Sequence, residues 1–152
     1  MTAIDPVARL IAIEEIKQLK ARYFRWMDTK DFTNLRTVFA DDAVFDASCS
    51  LGLEPAEDAG QWIHSGGDAI AAFVETAVAP LRTVHHGHCH EIEILSETEA
   101  RGVIAMEDQI WDGAGEAVVL HGMGHYHETY RKEADGWKIV TSRISRLHVI
   151  LG

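Results

Sequence analysis

Thr83-Val84-His85-His86-Gly87-His88-Cys89-His90-Glu91 packs four of the chain's nine histidines into six positions. An imidazole trades protons near neutral pH, with an unperturbed pKa of about 6.5, and is also the commonest neutral metal ligand. Proton transfer and metal binding are therefore the two chemistries to weigh. A base of this kind works best beside a carboxylate. The carboxylate accepts from one ring nitrogen, fixes the tautomer, leaves the other nitrogen free and steadies the imidazolium that forms. For metal, His86, His88 and His90 alternate along one strand face, and His125 and His127 repeat the pattern on another. No carboxylate or thiolate falls at a familiar zinc spacing, and Cys89 points away from His88 and His90 unless a bulge intervenes. No metal centre is expected. Gly87 marks a place where such a bulge would reassign the faces of the cluster. A sheet face crowded with imidazoles also suits contact between subunits.

The elements that must position these groups belong to a chain of 152 residues, a length that fits one compact domain spanning 1–152. Hydrophobic residues make up 47% and charged residues 25%, near the globular averages of about 45–50% and about 25%, so composition gives no case for disorder. The formal charge of −10 would repel a phosphate backbone, and nucleic acid is not an expected partner. Cys49 and Cys89 are the only cysteines, which makes neither a disulfide framework nor a CxxC pair and fits a reducing, cytoplasmic setting. The first residues carry acids rather than a basic, apolar stretch, and no apolar run approaches the ~18 residues of a membrane span, so neither export nor membrane insertion is expected. No phosphate-cradling glycine motif is present, so no nucleotide cofactor is expected.

Asp5-Pro6 supplies a cap and a favoured first helical residue, and Leu10, Ile13, Ile16, Leu19, Tyr23, Phe24 and Met27 recur at helical spacing. One long helix should end near Asp28-Thr29-Lys30. Asp31 caps a shorter second helix with Phe32, Leu35, Val38 and Phe39 on its buried side. Ala43–Ala47 reads as a short strand, Cys49–Gly60 as an irregular loop, and Gly66-Gly67-Asp68 opens a third helix that Pro80 stops. Beyond Pro80 the texture changes. Val84–Leu95, Arg101–Trp111, Val118–Tyr130 and Trp137–Ile150 read as four long strands joined by short turns, an antiparallel meander. Helices first and strands last is the order of an α+β domain. A curved sheet wrapped round the long helix would leave a cone whose mouth is a pocket.

Alternation sets Asp108 with Gly102, Ile104, Met106 and Ile110, the apolar and therefore inward set. A carboxyl held in an apolar cone would have a raised pKa and could protonate a leaving hydroxyl; the alternative is a buried acid paired with an arginine. Tyr23 could donate to a substrate oxygen, although its spacing with Leu19 and Met27 equally fits the core. Of Arg143 and Arg146, which alternate with apolar neighbours, one could hold a carboxylate or enolate oxygen. Trp26, Trp62 and Trp111 could line an apolar pocket or simply pack. The substrate-binding candidates are Tyr23, Trp26, His125 and Arg143.

Several segments carry a family resemblance. Ile13–Phe24, Asp28-Thr29-Lys30-Asp31-Phe32 and Leu35–Phe45 look like the opening of SnoaL-like domains in the nuclear-transport-factor-2-like superfamily. Thr83–His88, Gly122–Tyr130 and Gly136-Trp137-Lys138-Ile139 are similar to that family's later strands. The resemblance implies a cone-shaped α+β barrel, homodimers or homotrimers, and a pocket under the mouth. It implies no single reaction, because one fold hosts many. Asp28 and His85 fall where the scytalone dehydratase and dehydrochlorinase branch carries an orienting Asp and a proton-abstracting His. The spacing of Asp108 from His85 resembles that to an acid in the bile-acid dehydratase branch. The expectation is thus a cofactor-independent lyase or isomerase acting on a hydrophobic cyclic small molecule, with His85 as base, Asp28 as its partner and Asp108 as acid or oxygen-binding group. The alternative is a non-catalytic ligand-binding or assembly module, similar to the small subunit of ring-hydroxylating dioxygenases.

Overall fold

A computed structural model describes residues 4–152. Helix α1 spans Pro6–Asp28, started by Asp5, whose side chain accepts from the Ala8 amide at 2.9 Å. Its buried stripe, Ala12, Ile16, Leu19, Tyr23, Phe24 and Met27, keeps the three- and four-residue spacing of one helix face. Lys20 belongs to the same stripe. Helix α2 is a single short turn of helix, Phe32–Arg36, capped by Asp31. It stops earlier than the apolar spacing predicts. Val38 and Phe39 are buried as expected, but Val38 gives its carbonyl to the Ile139 amide at 2.8 Å and Phe39 begins strand β1, Phe39–Asp46. Pairing with a neighbouring strand outweighs one more helical turn for a β-branched and an aromatic residue.

A loop with one 3-10 turn, Ala59–Trp62, leads to β2 (Ile63–Ser65), a three-residue strand that the sequence did not announce. Helix α3 follows over Gly67–Val78 and turns Ile70, Ala71, Val74 and Val78 inward. Strands β3 (Arg82–Ile94), β4 (Glu99–Trp111), β5 (Val118–Glu133) and β6 (Gly136–Leu151) form the expected meander. The whole sheet has the order β2-β1-β6-β5-β4-β3, with β1 running parallel to β6 and every other pairing antiparallel. Helices packed on one curved, mostly antiparallel sheet give the cone-shaped α+β architecture. None of the described helices is long and apolar enough to cross a membrane.

Two irregularities decide which side chains enter the cone. The register of β3 against β4 shifts between Gly87 and His90, so Thr83, His85 and Gly87 face inward before the shift and His90, Ile92 and Ile94 after it. Gly87 is the residue that α1 leans on: a Cβ there would meet Phe24 Cε2 at 2.6 Å. On β6 the register slips opposite Thr129 and Tyr130, which moves the inward set from Trp137 and Ile139 to Ser142, Ile144 and Arg146.

One polar cluster lies deep in this apolar interior. The Lys20 ammonium sits 2.5 Å from Glu128 Oε1, with neither side chain exposed. Glu128 also accepts from Tyr130 Oη at 2.6 Å and Ser142 Oγ at 2.9 Å. The ammonium lies over the rings of Tyr126 and Tyr23, 3.5 and 4.0 Å from their centroids. Burial pushes Lys20 below the usual lysine range, and the charge of Glu128 opposes that shift. A fully partnered buried pair is tolerated where a lone buried charge would not be.

Candidate active site

Asp28 is the last residue of α1, and His85 is the second inward position of β3. The packing of helix end against strand start brings them together. His85 Nδ1 lies 2.6 Å from Asp28 Oδ1, and Asp28 Oδ2 accepts from the His85 amide at 2.8 Å. Thr83 donates to Asp28 Oδ1 as well, at 2.8 Å. A carboxylate only accepts, so the partner assigns a hydrogen to Nδ1, and in the neutral ring the lone pair is on Nε2. The His85 side chain is 6% exposed and Asp28 20%. Phe24 stacks near-parallel on the imidazole, with ring centroids 6.1 Å apart.

Asp108 is directly across the strand pair from His85, and its Oδ2 lies 3.8 Å from His85 Nε2. It does face inward, as alternation predicts. The acid role fits less well. Arg146 grips Asp108 through both arms, Nη1 to Oδ1 at 2.6 Å and Nη2 to Oδ2 at 2.9 Å, with both side chains almost wholly buried. A bidentate guanidinium engages the carboxylate form, so the arginine-paired alternative describes Asp108. Arg146 is itself held by the Ser50 carbonyl at 3.0 Å and by Met106 Sδ at 3.2 Å.

These groups end a cavity of about 330 Å³. Tyr23, Tyr126, His85, Asp108 and Arg146 supply its polar end; Phe45, Trp62, Phe73, Val78 and Ile144 are among its apolar walls. Burial drives the Tyr23 and Tyr126 phenols above the ordinary tyrosine range, which keeps both protonated and able to donate. A larger depression, about 860 Å³, lies on the outer face of the sheet and is lined by Arg101, Arg143, Glu93 and His127 among others. It contains none of the inward histidine and carboxylate pair.

Three of the expected substrate contacts stand elsewhere. Arg143 is exposed on the outer face; counting alternate residues from Ile139 would turn it inward, and the slip in β6 register gives that place to Arg146. His125 lies with His121, Met123 and His127 on the outer side of β5, the inner side belonging to Gly124, Tyr126 and Glu128. Trp26 packs partly buried at the edge of the core, its ring near the Arg25 guanidinium, and does not line the cavity. Tyr126 and Phe73 were not among the site candidates yet border the cavity, and of the three tryptophans weighed as pocket lining Trp62 borders it too. The signal for Tyr126 was present in the alternation of β5, whereas the placement of Trp62 depends on an irregular loop. His86 and His88 are exposed, while His90 turns inward beneath α1, where burial, followed by the Lys17 charge, pushes it below the usual histidine range. Among the described residues no three His, Cys, Asp or Glu side chains are grouped to hold a metal ion.

Known proteins share this arrangement of elements. Residues 8–143 match the family model described as the SnoaL-like domain. A relative from Gibberella zeae named "Probable cyclase FGR4" is 25% identical over 148 residues, covering 96% of this chain and 95% of that protein. The crystal structure of a "Putative Scytalone Dehydratase" from Novosphingobium aromaticivorans superimposes with a TM-score of 0.82 at 19% identity, over 97% of this chain and 92% of that one. Hexachlorocyclohexane dehydrochlorinase LinA-type3 from Novosphingobium barchaimii superimposes with a TM-score of 0.77 at 17% identity, over 97% and 94%. With the family model spanning most of its length, the chain belongs to the SnoaL-like domains of the nuclear-transport-factor-2-like superfamily.

Proposed function

We propose that the chain is a cofactor-independent lyase or isomerase acting on a hydrophobic, cyclic small molecule, with His85 as its general base. The observation that carries this is the buried Asp28–His85 hydrogen bond, whose free ring nitrogen meets an apolar cavity beside a buried cation. Dehydratase-, dehydrochlorinase- and cyclase-named proteins among the similar chains support the same class.

In the dehydration form of the reaction, His85 Nε2 takes a proton from a carbon next to a carbonyl. The bonding pair moves toward the carbonyl as an enolate, then forms the new double bond while the β-carbon releases its hydroxyl. The imidazolium returns its proton to that oxygen, and water leaves. Isomerisation shares the first step, but the imidazolium then returns its proton to a different carbon of the dienolate and no group leaves. Asp28 and Asp108 flank the ring and stabilise the imidazolium. Four of the five Arg146 hydrogens have partners in Asp108, Ser50 and Met106, which leaves one on Nη2 for the developing oxyanion. The Tyr23 and Tyr126 phenols are hydrogen-bonded to each other, with Tyr23 accepting, so Tyr23 is the further donor at that end. Asp108 therefore acts as the holder of Arg146 and a neighbour of the imidazolium, not as the acid.

The test is proton exchange. The purified chain is incubated in D2O with a panel of cyclic β-hydroxyketones and their enone products, and NMR follows deuterium at the acidic carbon while ultraviolet absorbance follows the enone. Exchange or turnover that disappears in His85→Ala is expected. A panel that shows neither, with a larger chain co-purifying from the native source, would replace this proposal with the assembly-subunit alternative.

A further inference from the structure

The turn after α1 contains a lysine in a backbone conformation that favours glycine. Lys30 has φ +63°, the one positive value outside glycine among the described residues. Its amide bonds back to the Met27 carbonyl at 3.2 Å and the Asp31 amide to Trp26 at 2.8 Å, the geometry of a left-handed helix stop. The position needs no side chain for that stop, and a Cβ there is strained. A side chain that persists at such an outlier invites the question of what it does.

Its ammonium lies 3.0 Å from Thr83 Oγ1. An ammonium has donors and no acceptor, so the Thr83 oxygen accepts from Lys30 and its single hydrogen is left to give. Asp28 Oδ1, 2.8 Å away, receives it. The direction of each bond is then determined from Lys30 through Thr83 to Asp28 and on to His85 Nδ1. Thr83 is 6% exposed, which leaves little room for water to replace the ammonium as the hydroxyl's other partner. We propose that Lys30 is a positioning residue for the candidate base: through Thr83 it holds the Asp28 carboxylate in the one orientation that pins the His85 ring. The catalytic part of this inference rests on the function proposed above; the positioning part does not. Partial burial, which lowers the lysine's proton affinity, is countered by the charge of Asp28, so the ammonium and the carboxylate support one another.

Lys30→Gly and Lys30→Arg test it. Glycine relieves the backbone and removes the ammonium, whereas arginine keeps both the strain and the charge. For Lys30→Gly the expected result is a rise in Tm of about 2–4 °C, together with a loss of about tenfold in kcat at a KM within about twofold. The readout that does not need turnover is the downfield imidazole proton of His85 Nδ1, identified by its absence in His85→Ala. Its exchange with water should quicken at least about fivefold in Lys30→Gly and return toward the wild-type rate in Lys30→Arg. Quickened exchange with a raised Tm supports the positioning role even if no substrate is found, in which case only the proposed function fails. Unchanged exchange overturns the proposal. So does a fall in Tm that accompanies faster exchange, because Lys30 would then be an ordinary brace between helix and strand.

Discussion

Two histidine–carboxylate pairs of almost the same length lie on opposite faces of one sheet. Inside, His85 Nδ1 is 2.6 Å from Asp28; outside, His121 Nε2 is 2.7 Å from Glu107, which His88 approaches at 3.6 Å. Length does not distinguish them. The inner imidazole is 6% exposed and the outer one 30%, with Glu107 at 40%. Water therefore screens the outer pair and shares its hydrogen bonds, while the inner pair works in a medium that screens a charge much less. The inner ring also has a free nitrogen directed at a cavity and a carboxylate–guanidinium pair beside it. What separates a candidate catalytic pair from a surface one is burial, aim and company.

The largest expected difference is in turnover. His85→Ala should lower kcat by about a thousandfold, the middle of the range for loss of a general base, and Asp28→Asn by about a hundredfold, whereas His121→Ala and Glu107→Gln should leave it within about twofold. Equal losses on both faces, measured in one steady-state assay, would break the distinction.

The arginines extend the contrast to stability. Arg146→Met leaves Asp108 buried without its cation and should cost about 3–5 kcal/mol in urea unfolding, while Arg143→Met, exposed on the outer face, should stay within about 0.5 kcal/mol. The double variant Arg146→Met/Asp108→Asn should recover part of the loss. A smaller effect is expected at Gly87. An added methyl drives into Phe24, so Gly87→Ala should cost about 1–3 kcal/mol and disturb His85 through the ring that stacks on it.

The smallest effect belongs to the outer pair and depends on pH. The hydrogen bond from His121 holds the Glu107 carboxyl below its ordinary 4.5, with the charges of His121 and His88 adding to it. A depressed folded value means that the stability it brings is present above about 4.5 and is lost as pH falls through the folded value. Thermal melts of wild type and Glu107→Gln should thus differ by a degree or so near pH 5 and converge below pH 4. A gap that widens on acidification would reverse the assignment.

How far these faces could be told apart beforehand varies with the local structure. Helix α1 announces its start through Asp5-Pro6 and its buried face through spacing, and Asp108 turns inward as strict alternation requires. Asp28 and His85 are far apart in sequence, and nothing in composition or period joins them; the family resemblance singled them out. Arg143 and Arg146 show where alternation fails. One extra residue in β6 inverts the side chains from Thr141 to Arg146, until a second shift opposite Met123 and Gly124, and no residue near Val140 advertises the first bulge. Gly87 did advertise one, and its shift gives His85 and His90 to the interior while leaving His86 and His88 outside. Short elements fared worst, because the end of α2 and the existence of β2 are set by strand pairing, of Val38 and Phe39 with β6 and of β2 with β1, rather than by their own residues.

The Lys20–Glu128 pair has a bearing on how α1 is seated. An apolar trough alone would accept a greasy helix at several heights, since one leucine or isoleucine replaces another with modest loss. Lys20 finds a carboxylate at one height only, and a slip of a single turn, about 5.4 Å, would strand an ammonium and a carboxylate in the core. Asp28 lies eight residues further along the same rod, about 12 Å at 1.5 Å per residue. The buried pair thus acts as the zero mark of a ruler, and the distance measured from it delivers the Asp28 carboxylate opposite the His85 ring.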